Sequence, residues 1–135
     1  MNEQTLIRQF RPISFSAQTR KTWSEAPEAR YAMSLSFSAT DQDDDALLVK
    51  TNVSFIEYLP GEKPEPSENP TVAVECIYMV IPNNSECDVF ELIAEFWPYI
   101  RSGVLVQTNL LGKDFARWLP LKIDPAALQK ESESE

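Results

Sequence analysis

The stretch Phe96-Trp97-Pro98-Tyr99-Ile100-Arg101, together with the residues that follow it as far as Leu111, carries an unusually wide apolar face. Two stripes at helical spacing make up this face: Tyr99, Gly103, Val106 and Leu110 form one, and Ile100, Val104 and Leu111 form the other. A helix that covers one sheet needs only a single stripe of this kind. We therefore expect this helix to be covered on a second side as well, which indicates an oligomer.

Prolines, glycines and polar residues predict the bounds of the helices here. Residues 89–97 keep a 3.6-residue apolar period, which predicts a first helical segment. Pro98 lacks an N–H and disfavours helical geometry at the preceding residue, so we expect a kink, or a new helix that begins at Pro98. Gly112 is expected to end that helix. Ser85, followed by Asp88, resembles a weak N-terminal cap.

The residues before the helix alternate between apolar and polar positions, which is typical of strands. The cleanest case is Tyr31–Ala39, where Tyr31, Met33, Leu35 and Phe37 share one face. The pattern predicts four strands, at residues 6–16, 31–39, 47–59 and 71–81. Pro12 is expected either near the start of the first strand or at a sheet edge, because it cannot donate a ladder hydrogen bond. Strands followed by helices predict an α+β domain, an antiparallel sheet with its helices on one face.

The predicted strands and helices are joined by polar segments. We expect a loop at 17–28, an acidic turn at 41–45 and a proline-rich loop at 60–70. Lys113–Asp124 is predicted to be extended, with Pro125 starting a short helix. We expect one domain over residues 1–128 and a disordered acidic tail at 129–135.

Charge restricts the partners that the chain can attract. The sequence has 12 basic and 21 acidic residues, a formal charge of −9, which disfavours nucleic acid and anionic lipid. An acidic surface attracts basic segments of other proteins, or simply keeps the protein soluble. The N-terminus has no signal-peptide pattern, and no apolar run is long enough to span a bilayer. We expect a cytoplasmic protein.

No residue pattern predicts catalysis or metal binding. The chain has no histidine and only Cys76 and Cys87, which suit reduced thiols. The acidic run 41–45 resembles the start of a calcium loop, but Ala46 stands where that loop needs glycine, and a solvated turn is the better interpretation. We therefore expect no enzymatic activity, no cofactor and no metal.

Two short motifs resemble the SecB family of export chaperones. Pro98, Tyr99 and Arg101 match that family's Phe-Pro-Tyr-x-Arg motif, with Trp97 in place of its phenylalanine. Counted without a gap from Arg101, Gly112 falls on the second of the family's two later glycines. In its Leu-x-Pro-Val-Asn-Phe-Asp segment, Pro120 falls on the proline, Ile123 on the phenylalanine and Asp124 on the aspartate. The chain departs from the family at Lys113, Phe115, Trp118 and Lys122.

The resemblance implies a four-stranded antiparallel sheet with a long helix, assembled as a dimer of dimers with the long helices at the interface. It also implies a holdase that needs no ATP or metal, binds unfolded polypeptides or preproteins in apolar grooves, and passes them to SecA, which docks on an acidic sheet surface. Relatives tied to toxin–antitoxin systems make a chaperone dedicated to one partner, such as an antitoxin, the alternative.

Site residues follow from this resemblance and from the aromatic residues beside the helix. The candidates for peptide binding are Phe96, Trp97, Phe115, Trp118 and Leu119. The alternative for each is a place in the core or a subunit interface. The candidates for the family motif and the oligomer interface are Pro98, Tyr99, Arg101, Gly103, Val106, Leu110, Pro120 and Asp124. A third class of function, an enzyme or small-ligand domain, predicts a closed pocket with convergent polar groups instead.

Overall fold

The computed structural model describes residues 6–19, 30–41, 46–61, 71–84, 88–112 and 114–126. Four antiparallel strands form one sheet, and one long helix follows them in the chain. The elements are β1 (Ile7–Thr19), β2 (Arg30–Asp41), β3 (Leu47–Tyr58), β4 (Val72–Pro82) and α1 (Val89–Leu110). The strand order across the sheet is β1-β4-β3-β2, so β1 and β2 are its edges. The predicted fold class is therefore confirmed.

The predicted alternation of strand faces is confirmed in the two central strands. In β3 the buried residues are Val49, Thr51, Val53 and Phe55, and in β4 they are Val72, Val74, Cys76, Tyr78 and Val80. We call this the inner face of the sheet, and the opposite side the outer face. The edge strand β2 keeps the same period but is only partly covered, and among the described strands it pairs with β3 alone.

β1 confirms the expected role of Pro12 at a sheet edge. Pro12 lies opposite Tyr78, and the register shifts between Pro12 and Ser14. A proline without an N–H fits this position because the open side of an edge strand makes no ladder hydrogen bonds. The strand runs on to Thr19, so the first residues of the predicted loop 17–28 belong to it, and the remainder lies outside the described residues.

The prediction that a new helix begins at Pro98 is wrong, because α1 is one helix of 22 residues with Pro98 inside it. An internal proline costs roughly 3 kcal/mol. Trp97 and Ile100, on either side of it, are both 0% exposed. Burying two such side chains contributes about 1.5–3 kcal/mol each, which offsets that cost and holds both halves on the sheet.

The ends of α1 differ in how well the sequence predicts them. The cap is Asp88 itself, whose Oδ1 accepts a hydrogen bond from the N–H of Phe90 at 2.8 Å, whereas Ser85 lies outside the described residues. Gly112 follows the last turn with φ of 97°, a left-handed conformation that glycine adopts without strain. The predicted end of the helix at Gly112 is confirmed.

Residues 114–126, which we call the return segment, are less extended than predicted. The N–H of Trp118 donates to the carbonyl of Phe115 at 2.9 Å, which closes a turn. Phe115 is fully buried, and its ring stacks on that of Phe55 with centroids 4.0 Å apart. Burial of this ring pulls the segment into a turn over the sheet, which a straight strand would not allow. Pro125 and Ala126 are helical, as expected where the chain is described.

The core has two halves with different covers. The helix α1 packs on β4 and β1, whereas the return segment covers β3 and the start of β2 through the Tyr31, Phe55 and Phe115 rings. Several predicted features lie outside the described residues: positions 42–45 of the acidic turn, 62–70 of the proline-rich loop, Cys87, Lys113 and the tail 129–135.

Candidate functional site

Four of the five predicted peptide-binding residues lie in the core. The exposed fractions are 1% for Phe96, 0% for Trp97 and Phe115, and 4% for Leu119. Side chains this enclosed present no surface to a peptide in this conformation, so the alternative interpretation, a role in the core, describes these four. Trp118 alone is partly exposed. Of the five residues, Trp118 remains a candidate for contact with a peptide.

Several family-motif residues hold the return segment on α1. The indole N–H of Trp97 donates to the carbonyl of Pro120 at 2.8 Å. The Arg101 guanidinium donates to the carbonyl of Ala116 at 3.0 Å. The Asp124 carboxylate accepts a hydrogen bond from the N–H of Ala126 at 2.9 Å. Arg101, Pro120 and Asp124, predicted at the oligomer interface, therefore make contacts inside the chain.

The two stripes of α1 differ in how exposed their large side chains are. Ile100 and Val104 are fully buried against the sheet. The outer helix stripe, which we define as Tyr99, Val106 and Leu110, is exposed by 53%, 54% and 76%. A row of large apolar side chains this accessible is unusual on a surface that needs no partner. With Pro98 and Asp124, which are also exposed, the stripe is the accessible part of the predicted interface.

A groove of about 530 Å³ lies beside this stripe, between β1 and α1. Its lining is mainly apolar and aromatic: Phe10, Pro12, Phe15, Tyr78, Pro98, Tyr99, Ser102 and Gly103. Burial, with a smaller contribution from Cys76, raises the pKa of Tyr78 to about 12. Tyr78 therefore lines the groove as a neutral phenol at neutral pH. We name it the β1–α1 groove.

Sequence reasoning missed the two phenylalanines of β1. Phe10 packs edge-on against Phe96, with centroids 4.9 Å apart, and Phe15 packs the same way against Tyr78 at 5.5 Å. Their spacing of five residues breaks a strict period of two, because the register shift after Pro12 inserts one residue. An aromatic residue on each side of a proline in an edge strand was the available signal.

The open edge of β2 is the most unusual backbone feature of the described sheet. β2 pairs with β3 on one side, and the described residues supply no strand on its other side. From Tyr31 to Thr40 it has neither a charged residue nor a proline. Natural sheets ordinarily protect long edges with such residues, as β1 does with Arg11 and Pro12.

Apolar side chains lie along this open edge on the inner face. Met33, Leu35 and Phe37 are only partly buried and pack against the core. Trp118 lies at the start of the strand, with its ring centroid 5.1 Å from that of Tyr31. The Arg117 guanidinium carbon lies 5.3 Å from the Trp118 ring centroid. The edge thus combines a side that no described strand pairs with and a row of accessible apolar side chains.

Tyr31 is fixed at the base of this edge. Its hydroxyl donates to a Glu57 carboxylate oxygen at 3.1 Å. Burial, followed by the hydrogen bond to Glu57 and its charge, raises the pKa of Tyr31 to about 12.

Within the described part of the chain, no three metal-ligating side chains lie close enough together to hold an ion. Among the same residues, no helix is long and apolar enough to cross a membrane.

No protein-family model matches the sequence, and no curated protein matches it. A solved structure that resembles this chain is the Mycobacterium tuberculosis Rv1957 SecB-like chaperone, in complex with a ChAD peptide from the Rv1956 HigA1 antitoxin. The TM-score is 0.51 at 14% identity, over 87% of this chain and 88% of that one. This chain has a SecB-like fold. Because the match covers most of both chains, the SecB-like resemblance extends well beyond the short motifs that first indicated it.

Proposed function

We propose that this SecB-like chain is an ATP-independent chaperone that holds non-native polypeptides in extended form. The observation that carries the proposal is the edge of β2, which has no second strand partner among the described residues, no charge from Tyr31 to Thr40, and partly buried apolar side chains beside it. An added strand gains main-chain hydrogen bonds that do not depend on its sequence. This mode of binding suits a protein that must accept many clients.

The side chains beside the edge supply the apolar part of the binding. Met33 is unbranched and adapts to differently shaped groups. Leu35 and Phe37 follow on the same face, and Trp118 presents a partly exposed ring near the start of the strand. Each contact is nonspecific, and together they favour apolar segments that a folded client would bury. Holding such segments needs no catalytic group, cofactor or metal.

The fold neighbour was solved with a peptide from an antitoxin, which supports a polypeptide as the partner of this chain too. It leaves two forms of the proposal. The first is a general holdase in the cytoplasm for unfolded proteins or preproteins, and the second is a chaperone dedicated to one partner such as an antitoxin. A panel of unrelated clients separates the two, because only the general holdase protects all of them.

We also propose that the outer helix stripe and the β1–α1 groove pack against a second copy of the chain, in a homo-oligomer built as a dimer of dimers. Tyr99 belongs to both features, so they form one continuous apolar surface. Leu110→Asp should lower the mass measured by light scattering. Asn52→Asp introduces the same charge at an exposed position on β3 and should leave the mass unchanged.

Suppression of aggregation of chemically denatured clients tests the chaperone proposal. The wild type should suppress aggregation at stoichiometric ratio, and Ser36→Lys on β2 should weaken this, because a lysine on an edge strand opposes strand addition. The matched control is Ser16→Lys on β1, which makes the same change at an exposed serine of the opposite edge. Failure of the wild type on every client contradicts the general form. Equal loss in both variants contradicts the assignment to β2.

A further inference from the structure

The outer face of the sheet carries an apolar patch that no described element covers. Leu48 and Met79 lie opposite each other in β3 and β4, and Ile77 lies two residues from Met79 on the same side. All three are partly exposed. The helix and the return segment pack on the inner face, so neither reaches these side chains. We call these three residues the outer patch.

Basic side chains outnumber acidic ones among the described residues of the outer face, although the chain as a whole is acidic. Arg11 lies opposite Met79, and Lys50 lies opposite Ile77, so the two cations flank the patch. Arg30, which pairs with Tyr58, is on the same face but at the other end of the sheet, so it does not flank the patch. Within the described strands the only acid on this face is Glu75, which pairs with Lys50 at 3.3 Å. Within the described strands this face is therefore net positive, although the chain has a net charge of −9.

We propose that the outer patch and its flanking cations bind an acidic polypeptide segment with apolar side chains, supplied by a partner protein. Apolar residues of the segment pack on Leu48, Ile77 and Met79, and its carboxylates lie near Arg11 and Lys50. Local charge complementarity of this kind determines the position and orientation of a partner. The sign is opposite to that of the acidic docking surface implied by the family resemblance.

A second copy of this chain is a poor occupant of the same surface. Symmetric pairing of two outer patches would bring the Arg11 and Lys50 side chains of one copy close to those of the other. Like charges placed together across an interface oppose association. The serine-rich strand β2 occupies the other half of the face and offers little apolar area to compensate. The face is therefore suited to a different protein.

Fluorescence anisotropy with two labelled synthetic peptides tests this proposal on the full chain. The probe alternates leucine and glutamate, and its counterpart alternates leucine and lysine. The probe should bind the wild type, and Arg11→Glu should weaken its binding roughly tenfold, because it replaces attraction by repulsion. Met79→Ser should also weaken it. Lys122→Glu, an equal charge change at an exposed position of the return segment, should alter it less than about twofold.

Four outcomes overturn the proposal. The probe fails to bind the wild type, or Arg11→Glu and Lys122→Glu weaken it equally, which is a net-charge effect. In the third, Ser36→Lys abolishes probe binding while Arg11→Glu does not, which assigns the peptide to the edge of β2. In the fourth, Arg11→Glu changes the mass in light scattering, which makes the face a contact between copies. Circular dichroism of each variant confirms that a loss of binding is not a loss of folding.

Discussion

Gly103 and Tyr78 meet where α1 lies across the sheet. A Cβ atom built on Gly103 would lie 2.5 Å from the Tyr78 hydroxyl oxygen and 2.9 Å from a ring carbon of Phe15. The same hydroxyl donates a hydrogen bond to the carbonyl of Tyr99 at 3.3 Å. The helix reaches this close to β4 only because position 103 has no side chain, and this approach forms the floor of the β1–α1 groove.

Gly103→Ala should destabilise the protein, although alanine is the better helix former. The gain in helix propensity is about 1 kcal/mol, and overpacking costs about 1–3 kcal/mol, so we expect a net loss of roughly 1 kcal/mol. Tyr78 is 4% exposed, and its ring packs edge-on against Phe10, Phe15 and Phe96, so a shift of its hydroxyl would disturb these contacts. Urea denaturation measures the effect, with Ser102→Ala as the exposed control on the same helix. A Gly103→Ala protein as stable as the wild type would contradict the close approach.

Two buried threonines should respond in opposite ways to replacement by valine. Both are 0% exposed, but the Thr108 hydroxyl donates to the carbonyl of Leu105 at 3.1 Å, whereas the Thr51 hydroxyl has no hydrogen-bond partner among the described residues. Removing an unpaired buried hydroxyl relieves a desolvation penalty of about 1–3 kcal/mol. Thr51→Val should therefore raise the thermal midpoint, and Thr108→Val should not. A fall in the midpoint for Thr51→Val would mean that its hydroxyl is paired.

Trp97→Phe should loosen the return segment more than its small change in volume suggests. The phenyl ring still fills most of the buried site, but the carbonyl of Pro120 loses the indole N–H that it accepts at 2.8 Å. This hydrogen bond is partly buried, and its loss costs about 0.5–1.5 kcal/mol. Limited proteolysis should cleave residues 114–126 faster in this variant. Unchanged cleavage, with the same free energy of unfolding as the wild type, would show that this bond does not hold the segment.

Stability should fall at alkaline pH because burial keeps three acidic groups protonated. Burial raises the pKa of the Cys76 thiol, with a smaller contribution from Glu75, and the pKa values of Cys76, Tyr31 and Tyr78 are all about 12. In the unfolded chain a thiol releases its proton near pH 8.5 and a tyrosine near pH 10. Above those values the unfolded state binds fewer protons than the folded state, so stability decreases as pH rises towards about 12.

Urea midpoints measured from pH 8 upward give this slope. Cys76→Ala removes the thiol titration, so the decline should begin at higher pH in that variant, whatever its stability at pH 8. Tyr31→Phe removes one phenol and should make the later part of the decline shallower. A flat profile to pH 11 in the wild type would contradict the burial of these groups.

Sequence alone predicts most of the local structure, because local structure depends on residues close together in the chain. Alternation places Val53 and Phe55 on the inner face of β3, and Gly112 marks the end of α1. Pro98 misleads because its local preference is outweighed by the burial of Trp97 and Ile100, which only the folded sheet provides. Alternation therefore predicts all four strands, whereas no local pattern predicts that the helix continues through Pro98.

The candidate site was harder to predict, because exposure depends on which elements meet. Phe115 and Trp118 are both aromatic residues of the same segment, and the sequence does not distinguish their roles. Only the structure shows that Phe115 stacks on Phe55 while Trp118 remains partly exposed. The absence of charge from Tyr31 to Thr40 is visible in the sequence. Its meaning depends on the strand order, since the same residues in a central strand would be ordinary. No local pattern specifies that order.

Amide hydrogen exchange along β2, with and without a bound client peptide, tests the central claim most directly. Backbone N–H groups on the open side of an edge strand exchange rapidly when nothing pairs with them. Peptide binding should slow exchange at those amides between Ala32 and Thr40 that point away from β3, and leave those of β1 unchanged. Protection at the β1–α1 groove with none along β2 would contradict strand addition at this edge.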